Sequence, residues 1–129
     1  MTAPKPLLVV DAANVVGSVP DGWWRDRRAA AERLRDHLVP VAEQGVQGLP
    51  GPPEVVLVVE GAARGVPSVP DVRVEEAGGS GDDRIVELVR AAGDRPVLVV
   101  TADRELRRRV QAHGAGVAGP RTVYGGGAS

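Results

Sequence analysis

The stretch Leu7-Leu8-Val9-Val10-Asp11 decides the fold of this chain, because an uninterrupted apolar run ends abruptly in a carboxylate. A short run without polar alternation, Pro6–Val10 here, is typical of a strand that helices cover on both faces. Two further runs, Val55–Val59 and Val97–Val100, have the same character. Weaker candidate strands are Val72–Val74 and a fifth at either Gly116–Ala118 or Thr122–Tyr124.

Helical patterns separate these runs. Apolar residues recur at helical spacing from Arg25 to about Gln44, over Asp82–Ala92 and over Asp103–His113. Asp21 is a candidate N-cap of the first helix, and Pro40 is expected to kink or end it. The alternation predicts an α/β fold with a mainly parallel sheet, right-handed crossovers and helices on both faces.

Composition limits the kind of protein. The 129 residues predict one domain over 1–124 and a flexible tail over 125–129. The absence of cysteine excludes disulfides, thiolate–zinc sites and cysteine nucleophiles. The first residues carry no signal-peptide or membrane-span pattern, so we expect a cytoplasmic protein without a membrane partner. A net charge of −1 gives no global basic field.

Acidic residues stand where the strands are predicted to end. Asp11, Glu60 and Asp103 follow three of the apolar runs, and Asp82-Asp83 opens a helix after a Gly-rich turn. In an open parallel sheet the carboxyl ends of the strands form the ligand-binding edge. Carboxylates gathered there repel one another unless a cation holds them, and carboxylate oxygens suit Mg²⁺ or Mn²⁺. The pattern therefore favours a divalent-metal site.

Helix capping is the competing interpretation. Asp103 has the position of an N-cap, and Asp82 and Asp83 suit the positive end of a helix dipole. Glu60 before a glycine fits a solvated turn. Asp11 is the residue that capping does not explain, because it follows a buried strand and precedes an apolar segment.

Four short motifs resemble those of NYN domains, a branch of the PIN-like nuclease superfamily, over roughly residues 7–118. They are Val-Val-Asp11-Ala-Ala-Asn14-Val-Val, Val-Val-Glu60-Gly, Gly-Ser-Gly-Asp82-Asp83-Arg-Ile-Val and Val-Val-Thr101-Ala-Asp103-Arg-Glu-Leu. Two positions depart from the family pattern. Glu60 stands where an Asp is common, and Gly81 stands where a small Ala is usual.

The resemblance implies a three-layer, PIN-like and Rossmann-like fold with strand order 3-2-1-4-5. It also implies an acidic, Mg²⁺- or Mn²⁺-dependent phosphodiesterase that acts mostly on RNA. The catalytic set it implies comprises Asp11, Asn14, Asp82, Asp83 and Asp103. Asp11, Asp82 and Asp103 match the family's metal-binding acids; Glu60 is a further metal ligand that we predict. Asn14 would orient a water or a phosphate oxygen.

Substrate contacts are predicted around the same edge. Arg104, Arg107 and Arg108 lie in the helix that starts there and can face a phosphate backbone, with a solvated helix face as the alternative. Ser80 lies in the Gly-rich turn, which can approach a phosphate. Of Trp23 and Trp24, one is expected to pack on the core and the other to be more exposed. The alternative is that a base stacks on one of these rings near the loop after the first strand.

The sequence thus predicts a metal-dependent ribonuclease with RNA as partner. A homodimer that completes the groove stays open. A nucleotide phosphohydrolase using the same acids on free nucleotides is the first alternative. A non-catalytic RNA-binding module, in which the acids only cap helices, is the second.

Overall fold

The computed structural model describes residues 4–19 and 22–123, which form a five-stranded parallel sheet in the order β3-β2-β1-β4-β5. The predicted α/β class and strand order are confirmed. The strands are β1 Leu7–Asp11, β2 Glu54–Val59, β3 Val72–Glu76, β4 Val97–Val100 and β5 Gly116–Ala118. The helices are α1 Ala12–Gly17, α2 Arg27–Gln44, α3 Gly81–Ala91 and α4 Arg104–Gln111, with single 3₁₀ turns at Trp23–Arg25, Gly61–Ala63 and Pro120–Thr122.

Two apolar cores flank the sheet and make the fold three-layered. Successive side chains of a strand point to opposite faces. In β1, Leu8 and Val10 therefore pack with α1 and α2, whereas Leu7 and Val9 pack with α3 and α4. The central strands are buried on both sides, which is why their sequence shows no polar alternation.

The first helical region differs from its prediction. Asp26 caps α2 by accepting the Ala29 N–H (3.0 Å), and Asp21 lies outside the described residues. The expected stop at Pro40 is wrong, since α2 runs on to Gln44 with Pro40 inside it. Pro40 is exposed, so water can satisfy the carbonyl that its missing N–H leaves free, while buried Leu38 on the neighbouring turn holds the helix to the core.

At the C-terminal end, β5 occupies the first of its two predicted positions. Gly116–Ala118 pairs with β4, whereas Thr122 belongs to a 3₁₀ turn. The predicted tail, 125–129, lies outside the described residues, as does Tyr124. None of the helices in the described ranges is both long and apolar enough to cross a membrane.

Candidate acidic site

Asp11 ends the central strand on the face that α3 and α4 cover. It continues the alternation of Leu7 and Val9, so its carboxylate turns toward that side of the sheet edge. The Thr101 hydroxyl donates to its Oδ2 (2.9 Å), and the Asn14 backbone N–H lies 3.5 Å from its Oδ1. Only 7% of Asp11 is exposed. The strand pairing has therefore buried a carboxylate with one strong neutral donor and one long contact.

The contact with Asn14 corrects the argument that capping does not explain Asp11. The residues after β1 form the short helix α1, which the sequence did not suggest, and Asp11 is its N-cap. At 3.5 Å the capping bond is at the limit of useful geometry. Asp11 therefore is a cap, but a weak one that does little to offset the cost of its burial.

Thr101 connects the first and fourth strands at this edge. It follows β4 directly, is fully buried, and both donates to Asp11 and accepts the Asp103 N–H at 3.1 Å. The sequence suggested only that it assists a helix cap. A polar residue after an unbroken apolar strand was the available signal, but only strand pairing reveals that Thr101 faces Asp11.

Asp103 and Asn14 fix the loop beyond β4. Asp103 caps α4 by accepting the Leu106 N–H (2.9 Å) through Oδ1. The Asn14 side-chain oxygen accepts the Ala102 N–H (2.8 Å). Capping and a functional role are compatible for Asp103, because the cap uses one carboxylate oxygen.

Glu60 follows β2 and reaches across to the start of α3. Its Oε2 accepts the Gly81 N–H in a short hydrogen bond. A Cβ built on Gly81 would lie 2.5 Å from the same oxygen, closer than real contacts allow. Positions 60 and 81, both of which depart from the motif pattern, therefore contact each other, and an Ala at position 81 would displace the Glu60 carboxylate from its hydrogen bond.

An open cavity of about 340 Å³ brings most of the predicted residues together. Its walls are formed by Asp11, Ala13, Asn14, Glu60, Ser80, Asp82 and Asp103. Ser80 accepts the Asp82 N–H (3.1 Å) and so caps α3. The sheet topology explains why these side chains lie together. Strands β1, β2 and β4 are neighbours, and the N-termini of α3 and α4 lie at the same edge of the sheet.

The acids in this cavity oppose one another's ionisation. Burial, supported by the nearby charges of Asp82 and Glu60, raises the pKa of Asp11 from 3.8 to about 6, although the Thr101 and Asn14 hydrogen bonds lower it. Burial also raises the pKa of Asp82, with Asp103 and Glu60 adding to the effect. A cation that neutralises part of this charge would be stabilised at the cavity.

The donor set fits a hydrated hard cation better than a tightly caged one. Within residues 4–19 and 22–123, no three acidic or histidine side chains converge closely enough to hold an ion between them. Mg²⁺ commonly keeps several waters and uses one or two carboxylates directly. Asp11, Asp82, Asp103 and Glu60 offer carboxylate oxygens around one cavity. Asp103 and Glu60 each use one oxygen to accept a backbone N–H and keep the other.

Asp83 and the predicted arginines lie outside this cavity. The Asp83 side chain is 68% exposed and pairs with Arg109 (2.9 Å). Arg108 pairs with Glu105 at the surface, and Arg107 donates to the Thr101 carbonyl (2.7 Å). Arg104 is exposed in the first turn of α4, next to Asp103. Unlike Arg107 and Arg108, Arg104 has no side-chain hydrogen bond or ion pair among the described residues.

Fold and cavity together define a three-layer α/β protein with a parallel sheet in the order β3-β2-β1-β4-β5 and an acidic pocket at the carboxyl edge of that sheet. Two crystal structures of Rae1 (YacP) from Bacillus subtilis share this fold at 20% sequence identity. One has a TM-score of 0.74 and matches 92% of this chain and 71% of that chain. The other, of a point mutant, has a TM-score of 0.67 with 90% and 70% matched. No protein-family profile and no curated protein sequence matches. The likeness is one of fold.

Proposed function

We propose that this protein is a metal-dependent phosphodiesterase that hydrolyses RNA. The proposal depends on the cavity that Asp11, Asp82, Asp103 and Glu60 line together. Among the described residues, no lysine or arginine pairs with Asp11 or Asp103 to neutralise its charge. Keeping a partly buried cluster of like charges is costly, and a divalent cation offsets that cost.

The residues divide the chemistry among them. Asp11 and Asp103 would hold Mg²⁺ or Mn²⁺ from neighbouring strands, and Asp82 would complete the set directly or through water. The bound cation would supply an activated water and offset charge on the phosphate. Thr101 would position the Asp11 carboxylate, and Asn14 would hold the loop that carries Asp103. The exposed Arg104 would contact a neighbouring phosphate.

The test is cleavage of a labelled single-stranded RNA in Mn²⁺ or Mg²⁺ by wild type and three variants. Asp11→Asn and Asp103→Asn should lose cleavage by at least about a hundredfold, as expected when a charged group of a catalytic site is removed. Asp83→Asn is the matched control, because it makes the same chemical change outside the cavity and should keep cleavage close to wild type.

Two results would contradict the proposal. Equal cleavage by wild type and Asp11→Asn would assign the activity to a contaminant or another site. Release of phosphate from free nucleotides without cleavage of RNA would favour a nucleotide phosphohydrolase. Thermal stability gives a reading independent of substrate: Mn²⁺ should raise the melting temperature of wild type and not of Asp11→Asn, since binding to the folded state stabilises it.

A further inference from the structure

A second, largely apolar cavity of about 180 Å³ adjoins the acidic one. It lies between α1, the start of α2 and the segment after β2, and Val16, Trp23 and Ala63 are among its walls. Ala13 and Glu60 line both cavities. The two cavities therefore adjoin at these two residues.

Two flat side chains stand at this cavity. Trp23 is partly buried against the core, and the Arg27 guanidinium lies 5.4 Å from the centre of its indole ring. Trp24 packs edge-on against Trp23 (6.1 Å, 87°) and is itself 55% exposed without lining the cavity. The expected division of one packed and one exposed tryptophan is thus confirmed. Indole and guanidinium planes are surfaces on which nucleobases stack whatever their sequence.

The polar groups at the cavity favour a base over an aliphatic ligand. Glu60 and Arg27 are charged residues in a lining that is otherwise largely apolar, and the Arg27 guanidinium supplies hydrogen-bond donors. The edge of a nucleobase carries acceptors for such donors, whereas an aliphatic chain carries none.

We propose that this cavity, the Trp23 pocket, holds one base of an RNA strand whose neighbouring phosphate lies in the acidic cavity. The proposal rests on the proposed function, because it takes the strand to be the substrate. It assigns Trp23 and Arg27 to substrate binding. The sequence had suggested base stacking on one of the two tryptophans without deciding which, and it gave no role to Arg27.

Fluorescence can isolate the pocket, because the chain has only two tryptophans. Trp24→Phe leaves Trp23 as the sole fluorophore at the pocket, and Trp23→Phe leaves only the exposed Trp24. Each is titrated with a short single-stranded oligoadenylate, with the same strand made abasic, and with adenosine monophosphate. Ca²⁺ replaces the catalytic metal, since it takes oxygen ligands in looser geometry than Mg²⁺.

Saturable quenching of Trp23 by the intact strand is expected, with affinity roughly 5- to 150-fold weaker for the abasic strand, the range that base–aromatic stacking supports. Trp23→Phe should show no saturable quenching. Ala63→Leu in the Trp24→Phe background narrows the pocket and keeps the reporter, so it should weaken binding similarly. The mononucleotide should bind more weakly than the strand.

Equal binding of the intact and abasic strands would overturn the pocket, as would unchanged binding after Ala63→Leu. Equal affinity for mononucleotide and strand would overturn the placement of a strand across both cavities. The proposed function fails separately, if wild type cleaves no RNA. Should RNA be cleaved while Trp23→Ala retains the wild-type kcat/KM, the pocket proposal falls and the nuclease proposal stands.

Discussion

Replacing Asp11 by Asn should stabilise the metal-free protein at neutral pH. Burial raises the pKa of Asp11 from 3.8 to about 6. At about 1.36 kcal/mol per pH unit, this corresponds to about 3 kcal/mol against the ionised carboxylate in the folded state. Asparagine has the same shape and can still accept from Thr101, but its buried amide hydrogens cost about 1–3 kcal/mol without partners. The net gain is therefore expected to be up to about 2 kcal/mol.

The sign of the pH dependence follows from linkage. Because the folded pKa lies above the unfolded one, the stability that protonated Asp11 contributes is fully present below pH 3.8 and is lost as the pH rises through about 6. Wild type and Asp11→Asn should therefore differ most above pH 7 and converge near pH 4.

Urea unfolding in EDTA at pH 4, 6 and 8 measures this difference directly, and comparison with wild type at each pH removes the contribution of other groups. Asp83→Asn is again the control, because its exposed ion pair is worth about 0–1 kcal/mol. A loss of stability in Asp11→Asn at pH 8 would refute the reasoning, since it would make the carboxylate a stabilising cap.

Three further predictions concern the surroundings of the same cavity. Gly81→Ala should displace the Glu60 carboxylate, because its Cβ would meet Glu60 Oε2 at 2.5 Å. Since that oxygen ends a flexible side chain, the loss should be at most about 1 kcal/mol, the worth of the hydrogen bond to Gly81, and adding Glu60→Asp should change it. Simple additivity of the two changes in urea unfolding would contradict the contact. Thr101→Val removes the buried donor to Asp11 and should lower the free energy of unfolding by about 1–3 kcal/mol at pH 8 and by less near pH 4. If the free energy of unfolding fell equally at both pH values, Thr101 would have a packing role alone. Asp83→Asn should change the Mn²⁺ dependence of melting by less than the error, and loss of that dependence would place Asp83 among the metal ligands.

Local sequence patterns were sufficient to predict the sheet and the edge at which the acids meet. Unbroken apolar runs such as Val55–Val59 are typical of strands buried between two helical layers. The alternation of these runs with amphipathic helices predicts a parallel sheet. Asp11 and Asp103 follow such runs, and parallel strands carry their carboxyl ends to one edge. The strand order came from resemblance to known motifs, and pairing in the structure agrees with it.

Tertiary structure alone decided which polar groups touch. Thr101 meets Asp11, and Glu60 meets Gly81, across separations of 90 and 21 residues. No local periodicity encodes such pairs, because they depend on strand register and on the direction of each side chain. Asp83 turned toward Arg109, since neighbouring helical residues point about 100° apart and only Asp82 could face the cavity. The Trp23 pocket likewise forms only when α1, α2 and the segment after β2 pack together, because each of these elements contributes only part of the lining.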